Sequence, residues 1–155
     1  MRYINESKEK SNGVVYTPTK MADYLAEQMI LFSSFNFSTS NSVKILDPAV
    51  GEGELLISMI KKINSHSPQM QIDVTGYETD INVANKTQNY IENLFPDVKV
   101  KILPVDFLNH IDDIKDKFDF IIANPPYIRT QILGASKARE IAQKTGLTGR
   151  IDIYY

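Results

Sequence analysis

Between Val43 and Ala123, short apolar runs alternate with longer amphipathic ones. That alternation leaves the chain few folds to adopt. Val43–Leu46, Ile72–Tyr77, Val98–Leu103 and Phe118–Ala123 read as strands, and 53–63, 80–94 and 109–117 as the helices between them. The run from Phe118 is nearly all apolar, as expected of a strand buried on both faces. Strands and helices in strict alternation give βαβ units and a parallel sheet, so the expected class is α/β. Parallel strands joined by right-handed crossovers bring their carboxyl ends to one edge, where ligands bind. Ahead of this core, residues 1–13 read as a flexible leader and 14–155 as the domain proper. A helix is expected from Pro18, with Thr17 as its N-cap and Met21, Leu25 and Met29 on its apolar face. Serines and asparagines from Ser33 to Ser42 read as a loop.

Composition narrows the chemistry. The 155 residues include no cysteine, which excludes a disulfide framework, a thiolate nucleophile, a Cys-based zinc site and cytosine C5 methylation. His66 and His110 lie far apart in polar stretches and read as surface residues, so no metal is expected. No apolar run is long enough for a membrane span and the first ten residues are polar, which suggests a cytoplasmic protein. Net charge is −2, and its distribution is uneven. Up to Tyr127 the chain carries twelve Lys/Arg against seventeen Asp/Glu; beyond it, five against two. Arg129, Lys137 and Arg139 belong to that basic stretch and are candidate phosphate contacts. A solvated lysine-rich helix is an equal alternative on composition alone.

Four motifs fall after the four strands. The first is Asp47-Pro48-Ala49-Val50-Gly51-Glu52-Gly53, a turn whose glycines let backbone approach a ligand. A dinucleotide fingerprint needs a third glycine where Leu56 stands, and Glu52 and Glu54 would repel a pyrophosphate at the helix start. A ligand carrying positive charge and no phosphate suits these carboxylates better. A purely structural turn is the bland alternative. Glu78, followed by Thr79 and 25 residues past Gly53, ends the second strand, where a carboxylate can accept from both hydroxyls of a ribose. Asp106-Phe107 follows the third strand. Asp106 could accept from an adenine amino group and Phe107 lie against its ring, or the pair could be an N-cap and a core aromatic. Asn124-Pro125-Pro126-Tyr127 follows the fourth. Two prolines fix a rigid loop. Such a loop can aim an amide oxygen and a carbonyl at both hydrogens of a planar amino group, and Tyr127 offers a face for stacking.

Together these residues resemble the gamma class of N6-adenine DNA methyltransferases, the TaqI-like group of restriction–modification systems. The resemblance runs from about Gly13 to Tyr155. Gly13-Val14-Val15-Tyr16-Thr17-Pro18 resembles that class's N-terminal motif, which contributes to the cofactor's methionine end. Its position ahead of the glycine loop is what points to the gamma class. The resemblance implies a Rossmann-like methyltransferase fold, truncated before its last strands, with S-adenosylmethionine as cofactor. It implies that Tyr16, Thr17, Pro18, Asp47, Pro48, Ala49, Gly51, Gly53, Glu78, Thr79, Asp106, Phe107 and Asn124 hold that cofactor. It implies that Asn124, Pro125, Pro126 and Tyr127 act on an adenine flipped out of double-stranded DNA, and that a cognate restriction endonuclease is a partner. Gly149-Arg150-Ile151-Asp152-Ile153-Tyr154 resembles the motif opening the next helix. Val50 stands where the family often has cysteine, a change expected to leave binding intact. The family's later strands and target-recognition region do not follow Tyr155, so this segment by itself is expected to be inactive. Two other readings stay open: N-methylation of a protein glutamine or of RNA adenine, where the same tetrapeptide occurs, and a non-catalytic binding module.

Overall fold

The computed structural model describes residues 17–124. The leader, Tyr16, Pro125, Pro126, Tyr127, the basic stretch with Arg129, Lys137 and Arg139, and the run from Gly149 lie outside the described residues.

The described chain runs α1 (Thr19–Phe32), β1 (Ser42–Asp47), α2 (Glu54–His66), β2 (Gln71–Tyr77), α3 (Ile81–Leu94), β3 (Lys99–Leu103), two 3-10 turns (Phe107–Asn109 and Ile111–Asp113) and β4 (Phe120–Ile121). The four strands form one parallel sheet in the order β3-β2-β1-β4. This is a Rossmann-like α/β arrangement, the class expected from the alternation of strands and helices. β1 sits inside the sheet, and its Val43, Ile45 and Leu46 are buried. Helix α2 buries Leu55, Leu56, Met59, Ile60 and Ile63. Its apolar side chains and those of the strands merge into one core with Ala84 and Ile91 of α3. Asp80 caps α3, its Oδ1 accepting from the backbone N–H of Asn82 and Val83.

Several expectations need correction. Thr17 does not cap the first helix; Pro18 is its N-cap, with no side-chain cap, and the Thr17 hydroxyl bonds elsewhere. The helix's core face is centred on Ala22 and Ala26, both fully buried, while Met21 is 53% exposed. Alanines let α1 approach closely, and Leu25, Met29 and Ile30 pack at the margins. The loop from Ser33 is less polar in its role than in its composition. Phe35 packs on Phe120 with ring centroids 5.6 Å apart and Phe37 lies 4.7 Å from Phe35, so the loop covers one face of β4. Finally, 109–117 is no α-helix. After the two 3-10 turns the chain passes alongside β1, where Asp119 accepts from the Lys44 backbone N–H and Asp116 pairs with the Lys44 ammonium. Two isoleucines, Ile111 and Ile114, give a helix too little to bury.

The fourth strand is also less enclosed than its composition suggests. Phe120 and Ile122 are buried, but Ile121 between them is 59% exposed. The ladder nonetheless continues past β4, with the Ile122 N–H donating to the Leu46 carbonyl at 2.9 Å. That pairing carries the chain to Asn124 at the same edge where β1 ends. His66 is exposed as anticipated, its ring 5.3 Å from Phe37, whereas His110 is half-buried, with its Nδ1 3.0 Å from the Asp106 carbonyl oxygen.

Candidate active site

Parallel strands bring the four motifs to one edge. Because the strand order is β3-β2-β1-β4, the residues following the strands lie in the sequence Asp106, Glu78, Asp47, Asn124 across that edge. Neighbouring strands stand about 4.8 Å apart, so the row spans roughly 14 Å.

The glycine loop between β1 and α2 is fixed from three sides. Val50 N–H donates to the Tyr77 carbonyl at the end of β2, at 2.9 Å. The Val50 side chain is buried beneath the loop, pointing into the core. Valine in place of the frequent cysteine therefore faces the interior. Gly51 and Gly53 both take positive φ, +50° and +84°, a region L side chains seldom adopt. Their surroundings differ. A Cβ on Gly53 would fall 2.8 Å from Thr87 Cγ2, whereas one on Gly51 would meet nothing within 4 Å among the described residues. Gly53 thus lets α3 approach from behind, and Gly51 borders open space. Leu56, in the place of the dinucleotide fingerprint's third glycine, is fully buried in the core.

Asp47 ends β1 and is completely buried. Its Oδ1 accepts from the Ala49 N–H at 2.9 Å, and its Oδ2 has no hydrogen-bond partner among the described residues. Burial, opposed by the Ala49 bond and reinforced by the Glu78 charge, pushes its pKa up to about 7. Buried polar atoms are normally paired, so an orphaned carboxylate oxygen points to a missing partner. Glu78 is half-buried just past β2. Its two oxygens are oriented by backbone donors, Oε2 by Gly51 N–H at 3.2 Å and Oε1 by Asp80 N–H at 2.9 Å; the Thr79 hydroxyl is 3.3 Å from Oε1. Carboxylate oxygens have further lone pairs, so these contacts hold the group without exhausting it.

Asp106 is the N-cap that one of its two readings expects, and Phe107 is half-buried, not a core aromatic. Asp106 caps the first 3-10 turn, with Oδ1 accepting from Leu108 N–H at 3.0 Å. The Phe107 ring packs edge-on against Tyr77, 5.1 Å between centroids. Neither is fully buried. At the other end of the row, Asn124 Nδ2 donates to Thr17 Oγ1 at 2.9 Å, joining residues 107 apart in sequence. Pro18 is exposed, and Pro48 and Ala49 are half-buried on the glycine loop.

Thr87 and Tyr77 are contributors that motif reading passed over. The Thr87 hydroxyl donates to the Gly51 carbonyl at 2.7 Å and is buried, holding the loop from α3. A buried threonine on the inner face of the second crossover helix is a weak signal, visible only once that face is known.

Three acids with an orphaned buried oxygen, and an open space beside Gly51, suit a cationic, hydroxyl-bearing ligand without phosphate. A group such as S-adenosylmethionine, with its ammonium, sulfonium and ribose, fits these donors and acceptors. No group of three or more His, Asp or Glu able to hold a metal occurs among the described residues, and no described helix is long and apolar enough to cross a membrane.

Comparison with known proteins agrees with this geometry. Residues 1–145 match the family described as N-6 DNA Methylase. The chain is 33% identical, over 96% of its length, to the Type II methyltransferase M.BanIII of Aneurinibacillus aneurinilyticus, and covers 27% of that protein. It is 36% identical, over 71% of its length, to the tRNA1(Val) (adenine(37)-N6)-methyltransferase of Pseudoalteromonas translucida, of which it covers 43%. The chain thus spans between about a quarter and under half of these relatives. Among solved structures, a Listeria monocytogenes protein described as a class I S-adenosylmethionine-dependent methyltransferase shares the fold, with TM-score 0.59 and 21% identity over 77% of this chain and 36% of that one.

Proposed function

Because the chain belongs to the N-6 DNA Methylase family, we propose that it is the cofactor-binding and catalytic part of a site-specific DNA methyltransferase acting on the N6 amino group of adenine. The modification component of a restriction–modification system is the setting we propose, with double-stranded DNA as substrate and a cognate endonuclease as partner. The observation that carries the reading is the row of residues set by strand order. Asp106, Glu78, Asp47 and Asn124 follow one another over roughly 14 Å, in the order adenine, ribose, amino acid and target demanded by an extended adenosyl amino acid.

In this reading Asp106 and Phe107 hold the adenine, the former as acceptor and the latter by its ring. Glu78 accepts from the ribose hydroxyls with lone pairs left free by Gly51 and Asp80. Thr79 steadies that carboxylate. Asp47, Pro48, Ala49, Gly51 and Gly53 shape the wall beside the methionine portion, and Tyr16, Thr17 and Pro18 complete it. Bound S-adenosylmethionine supplies an electrophilic methyl on a sulfonium. The protein's own task is to present a nucleophile to it. Asn124 Oδ1 and the Pro125 carbonyl accept from the target amino group, Pro126 stiffens the loop, and Tyr127 stacks on the flipped base. With both amino hydrogens held, the nitrogen lone pair is aimed at the methyl. No covalent intermediate with the enzyme is needed, so orientation carries much of the rate. Arg129, Lys137 and Arg139 supply phosphate contacts.

Relatives include a tRNA adenine methyltransferase, and an RNA adenine or a protein glutamine amide poses the same geometric problem. Favouring DNA is the Thr-Pro element before α1, placed beside Asn124 by the Thr17 bond, together with the length of match to the Type II enzyme. Purified full-length gene product, given labelled S-adenosylmethionine, should label plasmid DNA and leave tRNA and release factor unlabelled. Label in tRNA or release factor alone would overturn the choice of substrate. Absence of cofactor binding by calorimetry would favour a non-catalytic module.

A further inference from the structure

We propose that Thr17 is a positioning residue that sets which way the Asn124 amide faces; the inference rests on the proposed role of Asn124. An asparagine side chain is nearly symmetric in shape but not in function, with an acceptor oxygen on one side and a donor NH2 on the other. A reaction needing the oxygen toward the target is defeated by a half-turn of the amide. Two prolines follow Asn124 in the sequence; proline restricts the backbone but not that side-chain torsion, a broad two-fold rotor.

The structure supplies the missing constraint. Asn124 Nδ2 donates to Thr17 Oγ1 at 2.9 Å, and both residues are half-buried. With the NH2 held on the Thr17 side, Oδ1 faces the opposite way, with no hydrogen-bond partner among the described residues. Thr17 itself is anchored. It directly precedes Pro18, whose φ of −61° and role as N-cap fix the entry to α1, and α1 is buried through Ala22 and Ala26. The Pro18 carbonyl accepts from Met21 N–H and Ala22 N–H at 2.8 and 3.0 Å, so the turn carrying Thr17 is part of the helix start. A hydroxyl accepting from Asn124 also retains its own proton. Donation of that proton to an anionic group would lock Thr17 as an acceptor toward Asn124 and so tie the amide's orientation to occupancy of the neighbouring site. The correction to the capping expectation has the same cause: the hydroxyl serves residue 124 and not the helix.

The test uses Thr17→Val, which keeps shape and removes the hydroxyl, Thr17→Ala, which removes it without crowding, and Thr17→Ser, which keeps it. In the full-length protein at saturating cofactor, the single-turnover methylation rate should fall about tenfold or more in Val and Ala, the loss of roughly one hydrogen bond's orienting effect. Serine should recover most of it. Nuclear magnetic resonance of the Asn124 side-chain amide gives a readout independent of turnover: one amide proton should be protected from exchange in wild type and Thr17→Ser and unprotected in Val and Ala. Rates at saturation equal to wild type in Val and Ala, with only cofactor affinity changed, would overturn the inference. So would serine falling as far as valine, or amide protection that ignores the substitutions. Failure of the wild-type protein to methylate DNA would count against the proposed substrate, while the amide resonances still decide the role of Thr17.

Discussion

Alanine placed at the two glycines of the loop after β1 should separate folding from binding. Both positions have positive φ, so each substitution costs about 1–2 kcal/mol of backbone strain. At Gly53 the new Cβ would also stand 2.8 Å from Thr87 Cγ2 and 3.2 Å from Ile91 Cδ1. Thr87 cannot easily yield, because its hydroxyl is committed to the Gly51 carbonyl at 2.7 Å, and Ile91 is fully buried. Overpacking of this kind adds about 1–3 kcal/mol, for a total of roughly 2–5 kcal/mol. That is a large part of a typical domain's stability of about 5–15 kcal/mol. At Gly51 the Cβ meets nothing within 4 Å among the described residues, so only the backbone cost applies. Its methyl projects instead into the space assigned to the cofactor. Urea unfolding of the full-length protein should therefore show Gly53→Ala as the more destabilised by at least about 1 kcal/mol. Calorimetry should show Gly51→Ala as the variant with lost affinity for S-adenosylmethionine, its stability lowered only by the backbone cost of about 1–2 kcal/mol. Equal unfolding midpoints for the two variants, or unaltered cofactor affinity in Gly51→Ala, would refute the reasoning.

Other consequences are as direct. Glu78→Ala removes the acceptor that Gly51 and Asp80 hold in place, and should weaken cofactor binding about tenfold or more, read as the dissociation constant. Asp47 has a folded pKa of about 7 against 3.8 for an ordinary aspartate, raised chiefly by burial. Below pH 4 it is protonated whether folded or not. From pH 4 to 7 only the unfolded chain ionises, so stability falls as pH rises, and above about 7 the penalty, about 4 kcal/mol at most, is complete. Asp47→Asn should flatten that decline in the cofactor-free protein; parallel stability–pH profiles would count against a buried, neutral Asp47. A cation beside Asp47 favours its charged form, so cofactor binding near pH 6.5 should release a proton, detected as a dependence of calorimetric heat on buffer ionisation enthalpy. Asp80→Ala loses two capping bonds at α3 and should cost about 1 kcal/mol in urea unfolding, with little effect on the binding constant.

The strands, the order of helices and the acids at the strand ends were legible because each rests on a local pattern. Val43–Leu46 and Ile72–Tyr77 are apolar between turn residues, and Asp80 is a cap that needs no tertiary partner. What escaped depends on long-range contacts. Nothing near residues 114–119 announces that Asp116 and Asp119 will bond Lys44, more than seventy positions away, in place of a helix. Composition suggested that the last strand is buried on both faces, but only its neighbours decide that Phe120 is covered by Phe35 while Ile121 is open. In the site, the glycine turn and the carboxylates at the strand ends were readable as positions. The supports, Thr87 behind the loop and Thr17 beside Asn124, were not, because a hydroxyl's partner is set by the fold and threonine has many ordinary uses.

The central claim, that Asn124 and its loop present an adenine of DNA to a methyl donor, is tested most directly by mapping modified bases in genomic DNA. Cells lacking other adenine methylation would express the full-length gene with Asn124 intact or as Asn124→Ala. N6-methyladenine is expected at one recurring sequence with the wild-type gene and none with the variant, both proteins binding S-adenosylmethionine. Unmodified DNA in wild-type cells, or unchanged methylation in the Asn124→Ala variant, would contradict it.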